Sequence, residues 1–569
     1  MGSSRLQEGS NPSASIDGGP VPSTDTGQGS RPSIPLSREI VAVSLLVSLG
    51  LLLFGTADGL LVGSFNDDGV YVVLGKSIAE GAGYRSLHLP GAPVHAKYPP
   101  GLPLLLSLFW WLGGSLPNVV VLAQLANLAV VGGTAALSWW YGRTVLRLSA
   151  FPLALFGLGP FFLEPVLHYN SLILSEPYFL LCWLAVLVVY ARLSRMDAGR
   201  AAWGPAGVLG VLLAAATLFR VQGIILTAAV LVLLAVQRRG LHVWLVCAAS
   251  SMAPVLAWSV IHRTLLARGP VSNHPDELSY LDWVQAQGDA GPLVVAIRAV
   301  GQNVVDYARI LAQYTSASAW VGSAVVFALA SVVVLGIWHA RRRDLALAGT
   351  LLAMVGIVLF WPFTQDRLVL SILPVAGLAA AAGVDVVLGR LGGRSRRIAF
   401  VALGLLALAL GVEQIELRRV ARESAEAGRW PTRSSASFVS LLNSQYIATV
   451  SQWLTVNGRP TDIVLTEFPA GVYLHTGLSA VGSTMADQDV ARTVFRTPGA
   501  FLARRILEDG VTIVTMGNLS LPIARDIAAV MARCPGVLTY AGGVVGRPLP
   551  VFYRVTPDER CLRERILGP

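Results

Sequence analysis

Along most of this chain the hydrophobic positions do not alternate with polar ones but run together. From Ile40 to about residue 414, apolar stretches of about 16 to 24 residues follow one another, divided by short segments holding Arg, Asp, Glu, Gly and Pro. Helices of that length cross a hydrocarbon core of about 30 Å. Spans are expected at about 40–62, 118–141, 146–163, 172–192, 204–220, 222–237, 241–262, 318–339, 345–363, 367–389 and 397–414, about eleven in all. Leu102 to Leu112 is also apolar, but a crossing there would put Arg143 and Arg147 on the wrong face, so it reads as a juxtamembrane helix.

The pattern changes at both ends. Residues 1–36 are rich in Gly, Ser and Pro without an apolar run, and read as a disordered cytoplasmic tail. Beyond 415 the apolar runs shorten to 462–466, 511–516, 537–540 and 551–555, which read as strands, with helical spacing at 498–508 and 521–532. The expected fold is therefore mainly α. A polytopic helical membrane domain (37–414) carries a first outer loop at 64–100 and a second large outer loop at 263–315, and a small extracytoplasmic α/β domain (415–569) follows.

Composition narrows the class. Of 569 residues, 54% are hydrophobic and only 13% charged, which excludes a water-soluble globule and a disordered chain. The net charge of +10 comes from 43 Lys and Arg against 33 Asp and Glu, but these cations do not form a nucleic-acid face. They gather at alternate turns: Arg143 and Arg147, Arg192 and Arg195, Arg238 and Arg239, Arg341 to Arg343, and Arg394 to Arg397. Assigned to the cytoplasm, these turns put the N-terminus inside and everything after 414 outside. Arg418, Arg419 and Arg422 oppose that scheme, although long domains translocate largely regardless of such charges. Cys182 and Cys247 lie in apolar spans, whereas Cys534 and Cys561 share the outer domain and are candidates for a disulfide.

Charge at bilayer depth is costly, so charged residues at the span ends are functional candidates. The first loop opens with Phe65-Asn66-Asp67-Asp68-Gly69-Val70-Tyr71. Adjacent carboxylates there can act as a general base or bind a cation, while one of them can serve as a helix cap. The loop closes with His95-Ala96-Lys97-Tyr98-Pro99-Pro100-Gly101, in which Pro-Pro fixes a helix entry and Lys97 and Tyr98 can meet a phosphate or a sugar. Glu164 and His168 follow the third span, and Ser175-Glu176-Pro177 opens the next, with Ser175 expected to cap. Arg220, with Gln222 and Gly223, sits at the tip between two short spans. An Arg there can fork phosphate oxygens or snorkel. Gln365-Asp366-Arg367 forms a similar pair between later spans. These groups fall on one face and suit a phosphate-bearing substrate with a neutral acceptor.

At these residues the chain resembles the GT-C superfamily of membrane glycosyltransferases. It is most similar to the bacterial protein O-mannosyltransferases and lipid A aminoarabinose transferases. The resemblance rests on Asp67-Asp68 after the first span, Tyr98-Pro99-Pro100-Gly101, Ser175-Glu176-Pro177, and the late span from Arg367-Leu368 to Leu373-Pro374. It implies a bacterial cell-membrane enzyme that moves a sugar, with inversion, from a polyprenyl-phosphate donor to an acceptor hydroxyl on a lipid, glycan or protein. On this chain the implied base is Asp68 or Asp67, with Asp68 favoured because Asp67 lies nearer the cap position. Glu176, with Glu164 and His168 nearby, would orient the acceptor or hold a cation, and Arg220, Arg367, Lys97 and Tyr98 would receive the donor phosphate. The family's first loop often reads Asp-Glu where this chain has Asp-Asp-Gly. A divalent cation, Mg or Mn, serves some relatives and not others. The competing readings are a lipid-linked glycan ligase or polymerase, and a flippase or transporter of lipid-linked sugars.

Overall fold

The computed structural model describes residues 35–197, 199–269, 292–316, 318–361, 364–431, 435–483, 497–517, 521–543 and 550–568. The expected tail, apart from its last two residues, and the middle of the expected second loop lie outside them.

Helix α1 (Leu36–Asp58) starts the bundle. Two short helices, α2 (Asp67–Ala79) and α3 (Gly101–Gly113), precede the long α4 (Leu116–Thr144). Next come α5 (Ala150–Phe162) and α6 (Glu164–Ser171), bent by 56° relative to each other. The run continues with α7 (Glu176–Leu193), α8 (Trp203–Phe219), α9 (Gly223–Val236), α10 (Leu241–Arg268), α11 (Pro292–Thr315), α12 (Ala319–Ala340) and α13 (Leu345–Phe360). A single turn, α14 (Asp366–Leu370), leads to α15 (Leu373–Arg390) and α16 (Gly393–Glu426). Among the described residues eight helices are long and apolar enough to cross a membrane, nine with the α5–α6 pair, while α9 and α13 are shorter apolar helices at two of the expected positions. α3 is likewise too short to span and packs on α2. The described ends of the expected second loop are helical, since α10 reaches Arg268 and α11 begins at Pro292.

Lipid-facing positions such as Leu45, Leu49 and Leu53 are exposed, and the interior is filled by Trp183, Tyr141, Phe161 and Phe179. Close packing also sets the entry of α3. A Cβ on Gly101 would lie 2.6 Å from the Leu218 carbonyl oxygen, so the missing side chain lets α3 abut the end of α8.

The last apolar helix does not stop at 414. α16 continues to Glu426, and its polar extension is stabilised along its length. Arg419 pairs with Glu416 and Glu423, Arg422 with Glu426, and Arg418 stacks on the Phe54 ring and donates to the Phe54 carbonyl. The three arginines that opposed the expected orientation thus belong to a helix projecting from the bundle.

The C-terminal domain begins with α17 (Ala436–Asn457). Its core alternates β1 (Ile463–Thr466), α18 (Pro469–Thr476), β2 (Ser479–Gly482), α19 (Ala500–Glu508), β3 (Ile513–Met516), α20 (Leu521–Arg533), β4 (Leu538–Gly543) and β5 (Val551–Val555). The sheet order is β2-β1-β3-β5-β4, parallel among the first three strands and antiparallel at β3–β5 and β5–β4. Trp453 of α17 stacks on Phe552 at 4.1 Å between ring centroids. Cys534 and Cys561 form a disulfide that ties the C-terminal turn to the end of α20. The sequence pattern locates four of the five strands and misses β2, a four-residue strand of sequence Ser-Ala-Val-Gly.

This domain grips the loop between α1 and α2. The amide of Leu61 donates to Ser444 Oγ at 2.9 Å, Asn443 Nδ2 donates to the Ser64 carbonyl at 2.8 Å, and His475 bonds the Val62 carbonyl at 3.2 Å. Gly63, at φ 97°, leaves no room for a Cβ against Gly471. The Ala480 amide of β2 also donates to the His88 carbonyl of the first loop at 2.7 Å. The domain therefore sits at the end of the bundle where α1 stops, directly over the loop that delivers the two aspartates.

Candidate active site

The two aspartates point in different directions. Asn66 takes φ 68°, and α2 starts at Asp67 without a side-chain cap. That turn sends the Asp68 carboxylate backwards to accept the amides of Gly63 at 2.8 Å and Phe65 at 3.1 Å. Asp67 faces forwards into a partly open cleft lined also by Tyr71, Tyr98, Ser175, Arg220, Gln222 and Arg367, with Phe219, Val221 and Trp361 as apolar wall. Asp68, the expected base, therefore bonds the turn, whereas Asp67, the expected cap, lines the cleft with both carboxylate oxygens bonded.

Two side chains fix Asp67. Tyr98 Oη donates to its Oδ1 at 2.5 Å, and Arg367 Nη1 meets its Oδ2 at 2.5 Å. Tyr98 is itself placed by its amide, which donates to His95 Nε2 at 3.0 Å, and by Tyr84 Oη, which donates to the Tyr98 carbonyl at 2.9 Å. Burial alone would push the Asp67 carboxyl upwards; the charges of Arg367 and Lys97 and the Tyr98 hydrogen bond outweigh it and hold the group below its ordinary 3.8. Asp68 goes the other way, to about 6, because burial outweighs its backbone hydrogen bonds.

Glu176 opens α7 with Pro177 in the first turn, as the Ser-Glu-Pro sequence predicts. Ser175, however, does not cap the helix; its Oγ lies 3.2 Å from Tyr71 Oη inside the cleft. Both candidate arginines converge on Glu176. Arg220 forms an ion pair with Glu176 Oε1, and Arg367 Nη1 lies 3.7 Å from the same oxygen. Gln222 Oε1 accepts from Arg220 Nε at 3.0 Å, which fixes the guanidinium plane at the α8–α9 tip. Two guanidinium groups that line the cleft therefore meet two carboxylates, Asp67 in its lining and Glu176 outside it, all largely buried. An anion entering it can take over guanidinium bonds now made by carboxylates.

Other predicted site residues lie elsewhere. Lys97 stands behind Tyr98, its ammonium 5.3 Å from the ring centroid, and adds positive potential without lining the cleft. Glu164 and His168 face the C-terminal domain. Glu164 Oε1 accepts from Ser435 Oγ at 2.8 Å, the Ser437 amide at 3.0 Å and Ser437 Oγ at 2.5 Å, and His168 Nε2 bonds Ser440 Oγ at 2.9 Å. Their polarity fastens α17 to α6, so neither meets an acceptor or cation in the cleft.

Sequence reasoning named Tyr71, Ser175 and Gln222 without placing them in the cleft, and missed the support of Arg367. Tyr71 lies four residues after Asp67 on the same helix, a spacing that puts both on one face. The Arg367 support comes from Asp366, whose carboxylate accepts from Tyr169 Oη at 2.9 Å and Tyr314 Oη at 3.0 Å and from the Arg367 amide at 2.8 Å. Among the described residues no three His, Cys, Asp or Glu side chains converge as a cation site. The carboxylates of Asp67 and Glu176 are already matched by guanidinium groups.

The sequence matches no family model and no curated protein. Solved structures match in fold. ArnT from Cupriavidus metallidurans, in a crystal structure bound to undecaprenyl phosphate, aligns at a TM-score of 0.51 over 92% of this chain and 99% of its own, with 16% identity. Its apo structure aligns at the same TM-score with 15% identity. The archaeal oligosaccharyltransferase AglB from Archaeoglobus fulgidus, in complex with an inhibitory peptide and a dolichol-phosphate, aligns at 0.52 over 84% of this chain and 69% of its own, with 11% identity. The chain therefore shares the fold of these solved structures, consistent with the expected polytopic helical domain followed by a small C-terminal domain.

Proposed function

We propose that the protein transfers a sugar from a polyprenyl-phosphate donor to an acceptor hydroxyl, with inversion, at the membrane face that carries the C-terminal domain. The observation that carries this reading is that Arg220 and Arg367, which converge on Glu176, line one cleft with the Tyr98-bonded carboxylate of Asp67. The ArnT and AglB structures, which hold undecaprenyl phosphate and a dolichol-phosphate, support a lipid-phosphate donor.

In this reading the donor phosphate displaces carboxylates from the two guanidinium groups, and the lipid tail leaves along Phe219, Val221 and Trp361. Asp67 then loses the charge partner that weakens it as a base while keeping the Tyr98 hydroxyl that orients it. The acceptor oxygen attacks the anomeric carbon and gives its proton to Asp67. The bond from that carbon to the phosphate oxygen breaks, and the released lipid phosphate carries its new charge onto Arg220 and Arg367. This chain's own cations meet the developing charge.

The arginine-rich turns support the orientation. Arg143, Arg147, Arg239 and Arg343 gather at the end of the bundle away from the C-terminal domain, which the positive-inside rule assigns to the cytoplasm. The N-terminus is then cytoplasmic and the cleft extracytoplasmic.

The test uses purified protein in detergent with radiolabelled polyprenyl-phosphate sugars, wild type beside Asp67→Asn, with and without EDTA. Sugar release that wild type performs and the variant lacks supports the reading, and the EDTA arm decides metal dependence. Saturable donor binding with no release from any donor, in the presence of lipid, glycan and peptide acceptors, would overturn it.

A further inference from the structure

A second cavity lies at the opposite end of the bundle, and the transfer reaction does not use it. It is a shallow cavity, open to solvent, of about 530 Å³ between the start of α1 and the turn after α4, lined by Leu36, Glu39, Arg143, Arg147 and Leu148. Two cations and one anion face it, with a leucine on either side.

The anion is already matched. Glu39 Oε2 accepts from Trp139 Nε1 at 3.0 Å and lies 3.5 Å from Arg143 Nε. Arg143 Nη1 also donates to the Leu148 carbonyl at 2.7 Å, which draws the chain back across the cavity floor. Arg147 is arranged differently. Its backbone takes φ 54°, in the left-handed region that a non-glycine residue seldom occupies. Its side chain is exposed and, among the described residues, makes no hydrogen bond or ion pair.

The surrounding structure over-determines this turn. The Leu146 amide donates to the Tyr141 carbonyl at 3.1 Å, the Leu148 amide to the Gly142 carbonyl at 2.9 Å, and the Arg343 guanidinium to the Leu146 carbonyl. Strain kept in this way is a pointer to use. Its effect here is to hold an unmatched guanidinium at the mouth of a cavity. That mouth adjoins α1 and α4, both apolar enough to face lipid.

We propose that this cavity binds the phosphate headgroup of an anionic membrane lipid, in the leaflet opposite the catalytic cleft. Arg147 forks the phosphate oxygens, Arg143 supplies the second positive charge while keeping Glu39 neutralised, and Leu36 and Leu148 flank the glycerol and the first acyl carbons. The site does not depend on the transferase reading.

The experiment measures the melting midpoint of delipidated protein in neutral detergent, titrated with phosphatidylglycerol, phosphatidylcholine, glycerol phosphate or inorganic phosphate. Two variants are compared with wild type. Arg147→Asn keeps a residue that tolerates the left-handed region, and Arg341→Gln removes a cation at the same end but outside the cavity. Native mass spectrometry counts retained lipid in parallel. Phosphatidylglycerol should raise the wild-type midpoint saturably, Arg147→Asn should need about tenfold more lipid, and Arg341→Gln should match wild type. Phosphatidylcholine and the two soluble phosphates should have little effect. Equal loss in both variants, wild-type behaviour of Arg147→Asn, an equal response to phosphatidylcholine, or inorganic phosphate acting as well as the lipid would each overturn the assignment.

Discussion

Asp67 and Arg367 lie 300 positions apart and meet at 2.5 Å, and the same guanidinium reaches Glu176 at 3.7 Å. A buried ion pair of this kind is weak evidence for stability, because the desolvation of both charges offsets their attraction. In the proposed reaction its value is chemical: it would keep a base and an anion receptor together, each masking the other until a phosphate enters.

This relationship separates the two aspartates. Asp67→Asn should lower turnover about 100- to 10,000-fold, the range for loss of a general base, while donor binding persists because Arg367 is relieved of a competing carboxylate. Asp68→Asn should lower turnover by no more than about tenfold, since the amide oxygen still accepts one of the two loop amides. Single-turnover rates and donor affinities for both variants check this. A dead Asp68→Asn beside an active Asp67→Asn would reverse the assignment.

The Tyr98 hydroxyl predicts a pH effect. Asp67 must be ionised to accept a proton, so activity is lost as pH falls through its pKa. Tyr98 is one of the groups that hold this pKa below the ordinary value. Tyr98→Phe should therefore move the acid limb of the kcat/KM profile to higher pH as well as lowering the maximum. A lower rate with an unmoved limb would leave Tyr98 as packing only.

Asp366 should act on the donor through Arg367. Its carboxylate is held by Tyr169 and Tyr314 and accepts the Arg367 amide, which sets the start of α14 and the direction of the guanidinium. Asp366→Asn is expected to raise KM for the donor about tenfold with a smaller change in kcat, and Tyr314→Phe to do the same more weakly. Steady-state kinetics that show the loss in kcat alone would remove Asp366 from donor positioning.

Much of the membrane domain is legible in the sequence because span length and arginine placement are one-dimensional signals. Arg220 and Gln222 declare a tip by interrupting an apolar stretch, and the Pro-Pro entry of α3 declares itself by composition. The partners of those residues are not one-dimensional. That Arg220 and Arg367 share Glu176 depends on three separate helix ends meeting. Which aspartate enters the cleft depends on Asn66 taking φ 68°, which no spacing rule forecasts. Glu164 and His168 misled because burial makes a clamp look like chemistry. Their partners sit on α17, whose Ser437, Ser440, Asn443 and Ser444 break up the apolar face that would have revealed a helix.

The raised Asp68 carboxyl carries a stability signature. Its pKa of about 6 in the folded protein exceeds the ordinary 3.8, so the native state binds its proton more readily than the unfolded chain does. Stability from this group is present below about pH 4 and is lost as pH rises towards 6. The melting midpoint of wild type relative to Asp68→Asn should therefore fall across that window in detergent. Parallel curves from pH 4 to 7 would show that Asp68 does not titrate there.

The Glu164 clamp ties the C-terminal domain to the bundle beside the loop that carries Asp67. Its carboxylate satisfies two serine hydroxyls and one backbone amide at the start of α17, and the same helix, through Asn443 and Ser444, holds the loop that leads to Asp67. Each buried group left unmatched costs about 1–3 kcal/mol, so Glu164→Ala should loosen the domain contact without unfolding either part. The expected results are a separate low-temperature transition in a melting curve, faster proteolysis between Ala427 and Ser435, and lower kcat with donor affinity kept. Ser437→Ala, which removes one hydroxyl and keeps the amide bond, should show the same changes at smaller size. If Glu164→Ala melts in one transition at the wild-type rate of cleavage, the remaining contacts hold the domain and the base loop does not depend on Glu164.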